Sequence, residues 1–254
     1  MTRVRPYYAD QSLSAAFYDV VTASDRQLAG DIEVYAGLAA AGAAVLELGA
    51  GAGRVAFALA ERGFSVTGVD LAPAMLARAR ARLAQASAEL AGRLQFRQGD
   101  MTALDLKRTF DLVICTYFTL AHVPAGAAWR NTFAVMARHL APGGTAAAHL
   151  PLREAMRLPG PPPEALALDQ PLPGGGRLQL HVRERRFRED IGRLDQVIEY
   201  VERDAAGRAV RKSPERLTYY VADPTPFAAA AGLEVLQPPT GLGDVGEIWT
   251  FRKS

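Results

Sequence analysis

One cysteine, Cys115, in a chain of 254 residues excludes any disulfide within it. The four histidines, His122, His139, His149 and His181, are scattered, and without a Cys or His cluster at ligand spacing there is no case for a structural metal. No apolar run approaches the roughly 18 residues of a membrane helix, although 49% of the residues are apolar. The opening MTRVRPYYADQ lacks the apolar region of a secretion signal, so a cytoplasmic protein is expected. Net charge is only +2, and the richest basic stretch, 183–216, is interleaved with Glu184, Glu189, Asp190, Asp195, Glu199 and Glu202. That pattern is a solvated strand face, not a footprint for nucleic acid, and nothing marks a membrane partner.

The informative stretch runs from Ala44 to Asp70. A short apolar run up to Leu48 suits a parallel strand buried on both faces, and Gly49, Gly51 and Gly53 follow at once. Glycine permits positive φ and close approach to a ligand, and a helix beginning near Arg54 turns its unpaired amides toward the same place. Asp70 closes a second strand where a carboxylate can accept hydrogen bonds from two ribose hydroxyls. A dinucleotide fingerprint wants a third glycine at the position held by Arg54, whose side chain would crowd a pyrophosphate. A second acid follows: LQFRQGD, 94–100, reads as a third strand ending in Asp100, placed for the exocyclic amine of an adenine.

With the glycine turn, Asp70 and Asp100 in order, the chain resembles the class I S-adenosylmethionine-dependent methyltransferases. Their motifs run E-x-G-x-G-x-G, then an acid after strand two, then G-D after strand three. The resemblance implies an α/β fold: a Rossmann-like, seven-stranded, mostly parallel sheet with helices on both faces. The matching segments are strands 44–48, 64–69, 94–99, 110–115 and 144–149, with helices 54–61, 73–90 and 126–139 between them. Pro73 suits a first helical turn, and Pro142-Gly143-Gly144 reads as a stop. Before strand one, apolar positions at helical spacing predict two helices within 12–40, broken near 22–25.

After Pro151, a proline- and glycine-rich stretch reads as a loop, and period-2 patterning over 177–220 predicts a three-stranded antiparallel β insertion after strand five. A helix at 224–231 and strands at 233–237 and 246–252 finish the chain; in the family the last two strands add to the sheet edge, one of them antiparallel. The expected domains are a helical lid, 1–43; a cofactor-binding core, 44–150 with 221–254; and the insertion 151–220, an acceptor cap or a dimer contact. Exposed strands there make a homodimer plausible.

The expected cofactor-binding set is Glu47, Gly49, Gly51, Gly53, Arg54, Asp70, Leu71, Asp100, Met101 and Tyr117. The resemblance places the acid matching Glu47 beneath the methionine end of S-adenosyl-L-methionine; a purely structural carboxylate is the other reading. Arg54 is placed to meet the cofactor carboxylate, and Met101 to pack on adenine or in the core. Strand four opens into Tyr117, Phe118, Thr119 and His122 at the sheet end where open α/β folds bind ligands. His122 is the first candidate proton acceptor and His149 the second. Cys115 reads as a buried apolar residue, and His139 and His181 as non-catalytic.

Within the class, Phe17-Tyr18-Asp19, the helix from Asp31 to Tyr35 and the loop Leu120-Ala121-His122-Val123 resemble small-molecule enzymes that include amino-sugar N-methyltransferases. There, residues matching Tyr18 and His122 line the acceptor site. The implied function is methyl transfer to a nitrogen or oxygen of a small molecule, in specialised metabolism. The alternatives are a nicotinamide-dependent oxidoreductase and a non-catalytic S-adenosylmethionine-binding protein.

Overall fold

The structure, a computed structural model, describes residues 4–253. It divides into two compact units: Gln27–Leu152 with Val221 onward, and the residues up to Arg26 with Arg153–Tyr220. The segment expected as one lid over 1–43 is therefore divided after Arg26.

The first unit is built on seven strands: β1 (Ala44–Leu48), β2 (Ser65–Asp70), β3 (Leu94–Gln98), β4 (Phe110–Cys115), β5 (Leu140–Pro151), β6 (Leu233–Leu242) and β7 (Gly246–Lys253). Their order is β3-β2-β1-β4-β5-β7-β6, parallel apart from β7, which runs antiparallel to both neighbours. The helices are α1 (Asp31–Ala36), α2 (Arg54–Glu61), α3 (Pro73–Leu83), α4 (Ala88–Gly92), α5 (Ala127–His139) and α6 (Thr225–Ala230). Both faces of the sheet are covered. Tyr35, Phe57 and Leu59 pack on one side with Val45, Leu112 and Ile114, while Trp129, Phe133 and Met136 pack on the other with Leu46, Val113 and Phe251. Burial on both faces is why these strands read as continuous apolar runs. Strand order reverses between β1 and β4, so the crevice at their carboxyl ends is the switch point where such sheets take ligands.

The seven expected strands are all present, and the departures have local causes. The single helix expected over 73–90 is two, because the Ser87 hydroxyl accepts from Leu90 N at 3.2 Å and starts α4 anew. Pro142-Gly143-Gly144 does not stop the chain before β5; it is a bulge inside that strand, with Gly143 at φ 76° and the register against β4 shifting between Phe110 and Leu112.

In the second unit, strands Arg177–Arg188, Arg193–Arg203 and Ala209–Tyr220 form the expected antiparallel meander. Two strands extend it to five: Leu168–Pro171 pairs antiparallel with the first, and Arg5–Pro6 parallel with the last. The stretch expected as plain loop thus contains a short edge strand, where a terminal proline is tolerated, and a helical turn at Arg153–Arg157. The N-terminal helices are shorter and more numerous than expected, Leu13–Ala16 and Tyr18–Ser24. Thr22 Oγ1 donates to Tyr18 O and Ser24 Oγ to Val20 O and Val21 O, a competition with the helical ladder at the place where the helix ends. Leu13 and Ser14 amides donate to the buried Glu215 carboxylate at 3.0 and 3.2 Å, which ties this segment to the sheet. We expect Glu215→Ala to cost roughly 2–4 kcal/mol in a urea titration, since it leaves the buried Ser14 amide without its acceptor and the Leu13 amide with only a long bond to Ser213 Oγ.

Candidate functional site

At the switch point the turn after β1 meets the turn after β4. Gly49, Gly51 and Gly53 have φ of 73°, 55° and 87°, the left-handed region that glycine enters without strain. Gly49 has a second constraint: a Cβ there would lie 2.1 Å from Thr119 Cγ2. On the opposing turn Tyr117 and Phe118 both hold positive φ, 45° and 60°. Two consecutive side-chain-bearing residues in that region are costly, and such strain gathers at ligand sites. They lead into a 3-10 turn, Thr119–His122, that carries the half-buried His122.

Asp70 fixes the glycine turn from the neighbouring strand. Its Oδ2 accepts from Gly51 N at 2.8 Å and its Oδ1 from Ala72 N at 2.7 Å, while burial still raises its pKa above the usual carboxylate value. Each oxygen keeps a further lone pair for a ligand hydroxyl. Leu71, beside it, is 65% exposed. Asp100 is exposed, with Oδ1 turned to Thr102 N and Thr102 Oγ1, both at 2.8 Å. Met101 packs against the core cluster around Trp129.

Beneath this rim lies a buried polar row. Glu47 faces Ile114 in register, Ile114 faces Ala147, and His149 faces Ile248, so Glu47, Thr116 and His149 fall on one face of the sheet. Glu47 Oε1 accepts from Thr116 Oγ1 at 2.8 Å, while Oε2 has no partner among the described residues. Burial pushes its pKa up to about 8. The His149 ring is buried against Phe118 with centroids 4.4 Å apart, and neither nitrogen has a partner among the described residues. Burial, helped by the Arg54 charge, lowers its pKa to about 4, so it is a neutral imidazole. Tyr35 OH, also buried and unpartnered, feels the Asp31, Arg54 and Glu47 charges.

Arg54, expected to meet a cofactor carboxylate, is engaged by another side chain of the protein. Its guanidinium is not simply held out for a ligand; Nη1 donates to Asp31 Oδ1 at 3.0 Å and Nη2 to Asp31 Oδ2, a fork on a carboxylate that is 1% exposed. The Arg54 carbon sits 5.9 Å from the Tyr117 ring centroid. Asp31, Tyr35 and Thr116 were not singled out from sequence as site residues; the signal for the first two was their four-residue spacing on one helix face.

Tyr18 belongs to the other unit, where its ring meets Tyr8 edge-on at 5.7 Å. Cys115 is buried, its thiol pushed up to about 12 by desolvation, and is no nucleophile. His139 is structural, accepting from Leu106 N through Nε2 at 2.9 Å, and the His181 ring bonds to Ala165 O at 3.1 Å. Among the described residues no cluster of His, Cys, Asp or Glu could hold a metal ion, and no helix is long and apolar enough to cross a membrane.

Residues 45–144 match the family described as a methyltransferase domain. A protein of Geobacillus sp. (strain WCH70) with a provisional methyltransferase name is 39% identical over 90 residues, 35% of this chain and 34% of that relative. The match therefore spans about a third of the relative's length. Among solved structures, the CcbJ methyltransferase from Streptomyces caelestis aligns with TM-score 0.75 at 23% identity, covering 98% of each chain. The sugar N-methyltransferase KedS8 from Streptoalloteichus sp. ATCC 53650 aligns with TM-score 0.72 at 23% identity, over 100% of this chain and 98% of its own. The glycopeptide N-methyltransferase MtfA, solved with S-adenosyl-L-methionine, aligns with TM-score 0.58 at 24% identity over 100% of both chains. Residues 45–144 thus match a methyltransferase domain, and the chain shares its Rossmann-like fold with these solved methyltransferases.

Two outcomes follow for this site. Gly49→Ala combines left-handed strain with overpacking and should cost about 2–4 kcal/mol in chemical denaturation; Thr119→Ala in the same chain should recover the packing part. For Glu47, the folded pKa near 8 lies above the unfolded value of 4.5, so the folded state binds the extra proton in between. The stability of the wild type relative to Glu47→Gln should fall as pH rises from about 5 to 8 and level off above, in urea titrations run at each pH.

Proposed function

We propose that the protein transfers a methyl group from S-adenosyl-L-methionine to a small-molecule amine. The observation that carries this is the ordered arrangement of Glu47, the Gly49–Gly53 turn, Asp70 and Asp100 at the carboxyl ends of three adjacent parallel strands. The residues fit the group. The glycine turn is fixed by Asp70, whose carboxylate keeps acceptor capacity for a ribose hydroxyl, and Asp100 has an oxygen outside its own turn. Exposed Leu71 offers an apolar edge beside Asp70, and the unpartnered Glu47 Oε2 is a buried acceptor close to the turn. Arg54 and Tyr117 would complete the cofactor wall. An amine is favoured over a hydroxyl acceptor by the likeness to KedS8, a sugar N-methyltransferase, and MtfA, a glycopeptide N-methyltransferase.

Bound S-adenosyl-L-methionine would supply an activated methyl on a sulfonium. The chain's part is to align an acceptor lone pair with that carbon, which is catalysis by orientation. An amine that arrives protonated must lose a proton first, and His122, half-buried on the strained turn after β4, is assigned as its acceptor. His149 is fully buried and neutral, so its part is to accept or donate one hydrogen bond without adding charge.

Calorimetric titration tests the reading. S-adenosyl-L-methionine should bind and NADH should not, with Asp70→Ala weakening the first by at least about ten-fold. His122→Asn should lower turnover of an amino-sugar acceptor by roughly a hundred-fold or more while the cofactor still binds. Binding of NADH alone would overturn the methyltransferase reading, and unchanged turnover in His122→Asn would remove that residue from the mechanism.

A further inference from the structure

Resting on that reading, we infer that Asp31 is a positioning residue of the methyl-donor site, acting through Arg54. It locks the guanidinium in one orientation and cancels its charge, so that the site tolerates a sulfonium cation.

The geometry has three parts. Arg54 is the first residue of α2, directly after Gly53 at φ 87°, so its backbone is fixed by the glycine turn while its side chain is long and rotatable. The Asp31 fork removes that freedom. Both carboxylate oxygens receive a guanidinium nitrogen, and the carboxylate is 1% exposed against 20% for the arginine side chain. A two-point pairing with a buried partner sets direction as well as distance. It also leaves the partly exposed edge of the guanidinium to face the crevice at β1 and β4.

The second part is electrostatic. Around Arg54 stand Glu47, held largely neutral by burial, and His149, neutral for the same reason and from the arginine's own charge. Asp31 is the acid that meets Arg54 with both oxygens, and without it Arg54 would be a net cation in a poorly solvated place. A sulfonium brought beside an uncompensated cation is repelled, and a repulsion of this kind is screened little away from water.

The third part is that Asp31 has no other strong polar duty. Gly30 precedes it at φ 87°, without a side chain to cap α1, and both Asp31 oxygens are spent on Arg54. It also lies outside the matched domain, 45–144, and its hydrogen bonds reach the site through that arginine.

The test compares two ligands that differ in charge at sulfur. S-adenosyl-L-methionine is a sulfonium and S-adenosyl-L-homocysteine a neutral thioether, with the same nucleoside, amine and carboxylate. Calorimetry on the full chain should find Asp31→Asn weaker for both, and weaker by a further factor of roughly ten for the sulfonium. Asp31→Glu should restore most of the sulfonium-to-thioether ratio. Replacing both partners together, Arg54→Met with Asp31→Asn, leaves no net charge beside the sulfonium, so the sulfonium-to-thioether ratio should return to within about three-fold of the wild type's. That double variant buries no unpaired charge and carries the test if Asp31→Asn alone does not fold. A ratio unchanged in Asp31→Asn, or a double variant whose ratio falls as far as that of Asp31→Asn, overturns the inference. A wild type that binds neither ligand overturns instead the cofactor reading on which it rests.

Discussion

The turn from Gly49 to Gly53 is the constraint on which the site depends. Gly49 must be glycine twice over, for its positive φ and because Thr119 of the opposing turn occupies the space of a Cβ. The two loops at the β1–β4 switch point are therefore in direct contact, and the position of one fixes the other. Asp70 then secures the middle of the turn by accepting from Gly51 N, so three parallel strands jointly determine where the amides point. The strain at Tyr117 and Phe118 is held by the same packing: the Phe118 ring stacks on Tyr117 and lies against His149. A crevice built this way is preorganised, because little in it can relax without moving a strand of the sheet.

Desolvation gives the floor of that crevice its chemistry. A carboxylate at Glu47 would have to leave water with a single hydroxyl as partner, and it responds by holding its proton into the neutral range. His149 responds in the opposite sense and stays deprotonated well below its ordinary value. Both groups, on one face of the sheet, are thereby uncharged near pH 7, and the buried Asp31 carboxylate has an arginine forked onto it. Several buried atoms without a partner among the described residues, Glu47 Oε2, Tyr35 OH and the His149 nitrogens, share this face. Buried polar atoms without partners are rare, and their concentration at the ligand end of a sheet is the mark of a place meant to receive polar groups.

Much of the architecture was legible because it rests on local signals. A doubly buried strand reads as an apolar run, and glycines in alternation announce a turn; β1, α2 and β4 fall where those signals put them. What was not legible depended on competition or on distant partners. Ser87 starts a second helix within one apolar period, since its hydroxyl accepts from Leu90 N and caps the new turn. The strand pairs Arg5–Pro6 with Glu215–Arg216 and Leu168–Pro171 with Arg177–Leu180 join segments whose own composition, rich in proline and polar residues, argues for loop. Only the ladder offered by a neighbour makes them strands.

The same distinction divides the candidate site. Asp70 and Asp100 end strands and follow a glycine motif, so their order in the chain carries the meaning, and both stand at the sheet end expected of them. Arg54 shows where order stops being enough. Its place after Gly53 tells that a cation stands at the turn, but what that cation does is decided by a carboxylate 23 residues earlier, on a helix that precedes the sheet. Nothing in the run from Gly30 to Tyr35 singles out Asp31 over Glu33 two places on. The difference is made by the helical period, which turns Asp31 and Tyr35 inward together and leaves Glu33 to pair with Arg62 in solvent. One acid of the pair thus becomes part of the site and the other a surface ion pair, and the choice belongs to packing and not to residue type.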